Sequence, residues 1–330
     1  MIDNIHHERI PFMTTVNEKP SSKSPGKSHR TGITLMQLAD MFPDEDTARL
    51  WFESRVWPHG RHCPHCGSLE TYAASHPKSP YRCKDCRRYF SVKTGTALEN
   101  SRIPLRKWAF AIYLETTHVK GIASMKLHRD LGVTQKTAWF MLHRIRQAWS
   151  EVADSLDGTI EADEAYFGGL EKNKHKAKKL NAGRGGVGKA KAVALRERET
   201  NKIVAKVVDR LDRKTLQGLV TDNVKEGSTV YTDGNTAYGK IEGYAQDAVN
   251  HSVGQYVRNQ AHTNGVESFW ALLKRAHTGT YHKMSKKHLN RYVQSFAGKH
   301  NRRDLDTIDQ MDAIVADLIG RKLLYRDLTA

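Results

Sequence analysis

Three carboxylates in this 330-residue chain stand at positions from which they could converge on one point. Asp163 closes the run Gly158-Thr-Ile-Glu-Ala-Asp163, and Asp233 closes Ser228-Thr-Val-Tyr-Thr-Asp233. Both runs read as short apolar strands with an acid at the end. Glu267 lies in Thr263-Asn-Gly-Val-Glu-Ser-Phe-Trp-Ala-Leu-Leu-Lys274, whose apolar residues recur at helical spacing. Two strand-end acids and one helix acid are what two-metal phosphoryl transfer requires. Hard oxygen ligands hold two Mg2+ or Mn2+ ions roughly 3.5–4 Å apart, and the ions clamp the attacking and leaving oxygens of a phosphodiester. On the same helix Asn264, Glu267, Ala271 and Lys274 share one stripe, opposite Val266, Phe269, Trp270 and Leu273. Asn264 and Glu267 can therefore both look at such a site, with Lys274 two turns on, toward a phosphate. Glu161, Glu164, Asp209 and Asp222 are competing acids.

The elements that would position these acids follow from the pattern after Asp157-Gly158. A strand ending near Phe167 is followed by strands at Lys191 to Glu197 and Ile203 to Val208, a helix from Asp212 to Val224, and a strand at Thr229 to Thr232. Three strands in meander, a helix, then a strand is the order of a ribonuclease-H-like fold, in which the first and fourth strands lie side by side. Between the first two strands, Lys172 to Lys191 holds seven lysines, one arginine and no acid. Gly183-Arg-Gly185-Gly-Val-Gly188-Lys189 within it superficially satisfies a dinucleotide fingerprint and most of a phosphate loop. No buried strand precedes it, and no Ser or Thr follows the lysine to hold magnesium. It reads instead as a flexible basic loop that grips a DNA backbone through Lys178, Lys179, Arg184 and Lys189.

All four cysteines fall in one frame, Cys63-Pro-His-Cys66, sixteen residues, then Cys83-Lys-Asp-Cys86. Paired Cys-x-x-Cys knuckles at this separation read as one structural Zn2+ held by four thiolates in a reducing compartment. The segment is too short to bury a sufficient core, so the metal must supply much of its folding energy. Arg87 and Arg88 stand beside the site with Tyr89 and Phe90, a mixture that suits DNA contact. Further on, Gly121 to Ala148 reads as a helix-turn-helix: Ile122 to Asp130, a turn at Leu131-Gly132-Val133, and a second helix capped by Thr134. Ala138, Met141, Leu142, Ile145 and Ala148 line its apolar face. Gln135, Lys136, Trp139, His143 and Arg146 are expected to face outward, toward a major groove.

The chain thus divides into a disordered tail (1–31), a short helical lead-in (32–60), a zinc ribbon (61–96), a helix-turn-helix block (97–155), an α/β catalytic domain with a mixed five-stranded sheet (156–303), and a C-terminal helical segment (304–330) without recognisable chemistry. The formal net charge of +17 implies a polyanionic partner, most simply double-stranded DNA. No run of 18 apolar residues and no signal-peptide core occur, so a cytoplasmic, nucleoid-associated protein is expected, without a membrane partner.

At these residues the chain resembles bacterial and archaeal insertion-sequence transposases that carry a zinc ribbon ahead of a DDE-type domain. The resemblance runs from about Phe42 to Arg303. It rests on Trp57-Pro-His-Gly with the two knuckles, Glu161-Ala-Asp163-Glu164-Ala-Tyr166-Phe-Gly168-Gly169, Tyr231-Thr-Asp233-Gly, His262-Thr-Asn264-Gly-Val-Glu267-Ser through Lys274, and His300-Asn301-Arg302-Arg303. It implies two divalent ions, recognition of terminal inverted repeats, end cleavage and joining of the freed 3′-hydroxyl to target DNA. A homodimer or higher oligomer on DNA is expected. Asp163 and Asp233 carry over directly. For the third position Glu267, separated from Asp233 by 33 residues, competes with Asn264, because related transposases place either an acid or an asparagine there. Two other readings stay open: a DNA-binding regulator without catalysis, and a nuclease that only hydrolyses.

Overall fold

The computed structural model describes residues 31–149, 155–169, 173–180, 186, 188–233, 235–248 and 262–330. The expected disordered tail, apart from Thr31, lies outside the described residues. Two capped helices open the fold. Thr34 forms a capping box with Gln37 at the start of α1 (Leu35–Met41), and the Asp44 carboxylate accepts from the Thr47 N–H at the start of α2 (Glu45–Val56). Trp51 of α2 sits edge-on to Phe42 at 5.3 Å and to Phe52 at 4.9 Å. A small antiparallel sheet follows: β1 (Thr71–Ala73), β2 (Tyr81–Cys83) and β3 (Tyr89–Phe90). Then come α3 (Leu105–Thr117), α4 (Ser124–Leu131) and α5 (Gln135–Ile145). The helix-turn-helix forms as read, with Gly132 left-handed (φ 57°) between α4 and α5 and the Thr134 hydroxyl capping α5. Its first helix starts two residues later than expected, at Ser124, with Ile122 buried ahead of it.

The second half builds a five-stranded sheet from β4 (Thr159–Phe167), β5 (Ala190–Glu197), β6 (Ile203–Val208), β7 (Thr229–Thr232) and β8 (Ala245–Ala248). Its order is β6-β5-β4-β7-β8. The β4-β5-β6 meander is antiparallel, whereas β7 and β8 run parallel to β4. α6 (Arg213–Asn223) makes the crossover between β6 and β7. Ile160, Ala162 and Val230 pack on α6 through Leu216 and Val220. Ala165, Phe167, Ala192 and Ala194 pack on α7 (Asn264–Ala276) and α8 (Lys286–Asn301) through Val266, Trp270, Leu289 and Val293. Helices thus cover both faces of a mixed sheet, the ribonuclease-H-like arrangement that the strand order predicts.

α8 also runs along the outer edge of β6. The Asn301 side chain exchanges two hydrogen bonds with the Ile203 backbone, at 2.7 and 2.9 Å, and the Asn290 oxygen accepts from the Val207 N–H at 3.0 Å. Side-chain amides here take the place of a neighbouring strand and close an edge that would otherwise offer unpaired backbone. The chain then returns to its front end. α9 (Thr307–Asp317) inserts Met311, Ile314 and Val315 into the core shared by α1 to α5 and the ribbon, and Arg55 pairs with Asp312 at 2.9 Å. A short α10 (Tyr325–Thr329) follows. Among the described residues no helix is long and apolar enough to cross a membrane.

Candidate active site

The register of β4 against β7 builds the site. Thr159 lies opposite Thr229, and the parallel pairing runs to Ala162 opposite Thr232. The next residues are Asp163, in the middle of β4, and Asp233, just past the end of β7, so the two carboxylates stand in step side by side. Alternation turns Asp163 to the α7 side, with Ala165 and Phe167, and Glu164 to the α6 side, with Ile160 and Ala162. Pairing with β7 stops at Ala162, whereas β4 continues against β5 alone to Phe167. Beyond that point side chains from both faces reach around the open edge of β4 toward Asp233. Oxygens of Asp163, Glu164 and Asp233 lie within 4.8 Å of one another. That spacing suits oxygen ligands of one small divalent cation.

The electrostatics match the geometry. Burial pushes the Asp163 carboxyl up to about 7, and the negative charges of Asp233, Glu164 and Glu267 add to the effect. The Glu164 N–H, donating to Asp163 Oδ1 at 2.8 Å, works the other way. Glu164 is likewise raised, chiefly by burial and also by Asp233. Half-buried acids this close resist sharing negative charge unless a cation joins them.

Glu267 stands apart from the trio. It is exposed on the first turn of α7, where its Oε1 accepts from the Thr263 hydroxyl at 2.8 Å. Its charge is nevertheless near enough to act on Asp163. Asn264, the first residue of α7, and Lys274, two turns beyond Glu267, are both exposed.

Glu161, read from sequence only as a competing acid, proves to anchor α7. It is fully buried. Its Oε2 accepts the Val266 N–H at 2.9 Å, meeting one of the unpaired donors at the helix start. Its Oε1 takes Arg198 at 2.8 Å and Arg196 at 3.2 Å. A usable signal was present in the sequence: Arg196 in the neighbouring strand and Arg198 just past its end are two apart, and Arg196 is the register partner of Glu161.

In the ribbon, the sulfurs of Cys63, Cys66, Cys83 and Cys86 lie within 4.8 Å of one another. Cys63 to Cys86 measures 3.6 Å and Cys66 to Cys83 3.7 Å. A tetrahedral zinc with bonds of about 2.3 Å has sulfur–sulfur edges of about 3.8 Å, so the cage fits Zn2+. Gly67 (φ 78°) and Arg87 (φ 58°) take the left-handed conformation that each knuckle needs. Backbone N–H groups of His65 and Cys66 point at the Cys63 sulfur, and those of Asp85 and Cys86 at Cys83. Arg87 and Arg88 are exposed, whereas Arg61 stacks over Tyr81 at 4.0 Å and Arg82 over Tyr89 at 5.0 Å.

The outward face of α5 needs correction. Gln135 and Lys136 are exposed, although Gln135 donates to the Ser124 hydroxyl at 2.9 Å and Lys136 lies 4.5 Å over the Tyr325 ring. His143 and Arg146 do not face outward: they are 0% and 2% exposed. α8 and the turn before it pack on that side of the helix. His143 sits 4.9 Å from His288, and Arg146 stacks 4.2 Å over Tyr292. Burial first, and then neighbouring Arg146 and His288, push the His143 imidazole down to about 2. It is therefore a neutral packing residue. Of the basic loop, Arg184 and the Lys178 side chain lie outside the described residues, while Lys179 and Lys189 are half-buried.

Comparison with known proteins agrees with this layout. Residues 155–301 match the ISXO2-like transposase domain, and residues 43–89 match the transposase zinc-ribbon domain. A Halobacterium salinarum protein described as an uncharacterized protein in transposable element ISH50 is 29% identical over 279 residues, covering 79% of this chain and 92% of the relative. An uncharacterized transposase-like protein of Haemophilus influenzae is 26% identical over 106 residues, covering 32% of this chain and 85% of the relative. A cryo-EM structure of the simian T-cell lymphotropic virus intasome with a PP2A regulatory subunit aligns at 15% identity and a TM-score of 0.28. That alignment spans 57% of this chain and 64% of the other, too loose an overlap to bear on the fold. The two matched domains occur here in one order, ribbon then acidic sheet, with the helix-turn-helix between them. The chain thus carries a match to a transposase zinc-ribbon domain at residues 43–89 ahead of a match to an ISXO2-like transposase domain at residues 155–301.

Proposed function

We propose that this protein is a transposase that binds the terminal inverted repeats of its element, cleaves the ends, and joins the freed 3′-hydroxyl to target DNA. The observation that carries the reading is the in-step parallel register of β4 and β7, which ends in Asp163 and Asp233. Asp163 and Asp233 would hold Mg2+ or Mn2+, and Glu267 would complete the site from α7. When bound, such ions neutralise charge on the scissile phosphate and favour ionisation of the attacking hydroxyl. The chain's own residues do the rest. The Glu161 clamp fixes α7 against the sheet, and Lys274 offers a cation to a flanking phosphate. Asn264 remains the rival to Glu267 at the third position. The zinc ribbon with Arg87 and Arg88, the exposed start of α5 with Gln135 and Lys136, and the basic loop with Lys178, Lys179, Arg184 and Lys189 supply DNA contacts. A net charge of +17 favours that partner. The protein would act as a dimer or higher oligomer on nucleoid DNA in the cytoplasm.

The test is incubation of end-labelled element DNA and a target plasmid with the purified protein. The expected outcome is label covalently joined to the plasmid with Mg2+ or Mn2+, and none with Ca2+ or a chelator. Nicked ends that never join would indicate a hydrolytic nuclease. Binding without any cutting would indicate a regulator.

A further inference from the structure

The third oxygen donor nearest to Asp163 and Asp233 belongs to Glu164, not to α7. Adjacent residues of a strand ordinarily serve opposite faces. Here both carboxylates meet, because β7 ends where β4 continues and the exposed edge of β4 is reachable from either side. A second, independent observation points to a ligand. Glu164 Oε1 and the hydroxyl of Tyr238, which is 2% exposed, are both buried and neither makes a well-aligned hydrogen bond, although the phenol stands beside Glu164. The Tyr238 phenol lies close enough for the charges of Glu164, Asp233 and Asp163 all to act on it. Orphaned buried oxygens are rare and costly, and each calls for a partner of opposite character. Three acid side chains around one point carry more negative charge than a neutral phenol beside Glu164 can offset, and they call for a cation. Glu267, by contrast, is exposed and already accepts from Thr263.

We propose that Glu164 is a direct ligand of a catalytic divalent cation, shared with Asp163 and Asp233, while Glu267 serves the second ion from α7. Tyr238 is the positioning residue that backs Glu164 from the α6 side. This inference rests on the two-ion reading above, and the experiment separates the two. Mn2+ is titrated calorimetrically into full-length, zinc-loaded protein: wild type, Glu164→Gln, Asp163→Asn and Glu267→Gln. Glu164→Gln is expected to weaken the tightest Mn2+ site by about tenfold or more, as Asp163→Asn does, whereas Glu267→Gln leaves that site within about threefold. Wild-type affinity in Glu164→Gln with loss in Asp163→Asn would overturn the Glu164 assignment and leave the two-ion reading standing. Wild-type affinity in Asp163→Asn as well would remove the site altogether. Because a charge acting through space also changes affinity, Glu164→Cys supplies the second readout. A direct ligand shifts the preference of the site from Mg2+ to Cd2+ by about tenfold or more relative to wild type. An unchanged preference would overturn direct ligation.

Discussion

Asp163→Asn is expected to cut DNA cleavage by at least about 10³-fold, roughly 4 kcal/mol in the barrier, while binding of element ends stays within a few-fold of wild type. The asymmetry follows from placement. Asp163 lies in the middle of β4 beside Asp233, whereas the exposed cations of the ribbon and of the start of α5 lie on other elements. The same substitution is expected to stabilise the metal-free fold at alkaline pH. Burial and then Asp233 hold the folded-state carboxyl at about 7, above its ordinary value of 3.8. Folding therefore takes up a proton between these values, and wild-type stability falls as pH rises from about 4 to about 7, with the full cost present above that range. Asparagine removes the cost, which is at most about 4 kcal/mol for a shift of this size. Thermal melts with a chelator selective for Mg2+ and Mn2+ should show Asp163→Asn above wild type at pH 8 and equal to it below pH 4. Wild-type cleavage by the variant, or a lower melting temperature at pH 8, would contradict the assignment.

Removing zinc is expected to abolish end binding while sparing the five-stranded sheet. The ribbon strands have three, three and two residues, and Cys63 and Cys83 are themselves buried in the front-end core with Trp57, Tyr81 and Phe90. So little sheet cannot order itself, and a structural zinc contributes about 10–16 kcal/mol at neutral pH. Cys83→Ser, or a zinc chelator, should accelerate hydrogen exchange at Tyr81, Arg82 and Phe90 by several orders of magnitude. Exchange at Ala192 to Leu195 in the central β5 should stay slow. Zinc, and not Mg2+, should restore both protection and end binding to the chelated protein. Unchanged exchange in the ribbon after zinc loss would show that the thiolates are not its staple.

Much of this architecture was legible because the informative patterns are local. Four of the five strands of the sheet and both knuckles are written in short stretches, and Thr134 and Gly132 mark the turn of the helix-turn-helix by their own chemistry. β8 was not located, because Ala245-Gln-Asp-Ala248 is polar and lies at the sheet edge, where no apolar alternation is required. His143 and Arg146 were misread for a different reason. A helical wheel places His143 away from the apolar face and Arg146 at its margin, but it carries no information about α8, nearly 150 residues later, which buries that side. Glu161 shows the same limit. Its alternation within β4 is visible, yet its role depends on the helix start it meets more than 100 residues on. Spacing brought Asp163 and Asp233 together correctly. The helix stripe that carries Glu267 can be seen in sequence, whereas the early end of β7 that brings Glu164 near Asp233 cannot.

The most direct measurement is anomalous diffraction from crystals of the protein grown with Mn2+. The expected result is a manganese peak within about 2.1–2.3 Å of carboxylate oxygens from both Asp163 and Asp233, with the four ribbon sulfurs around a separate zinc peak. Manganese absent from the β4–β7 strand ends, or the two carboxylates turned apart with no shared ion, would contradict it.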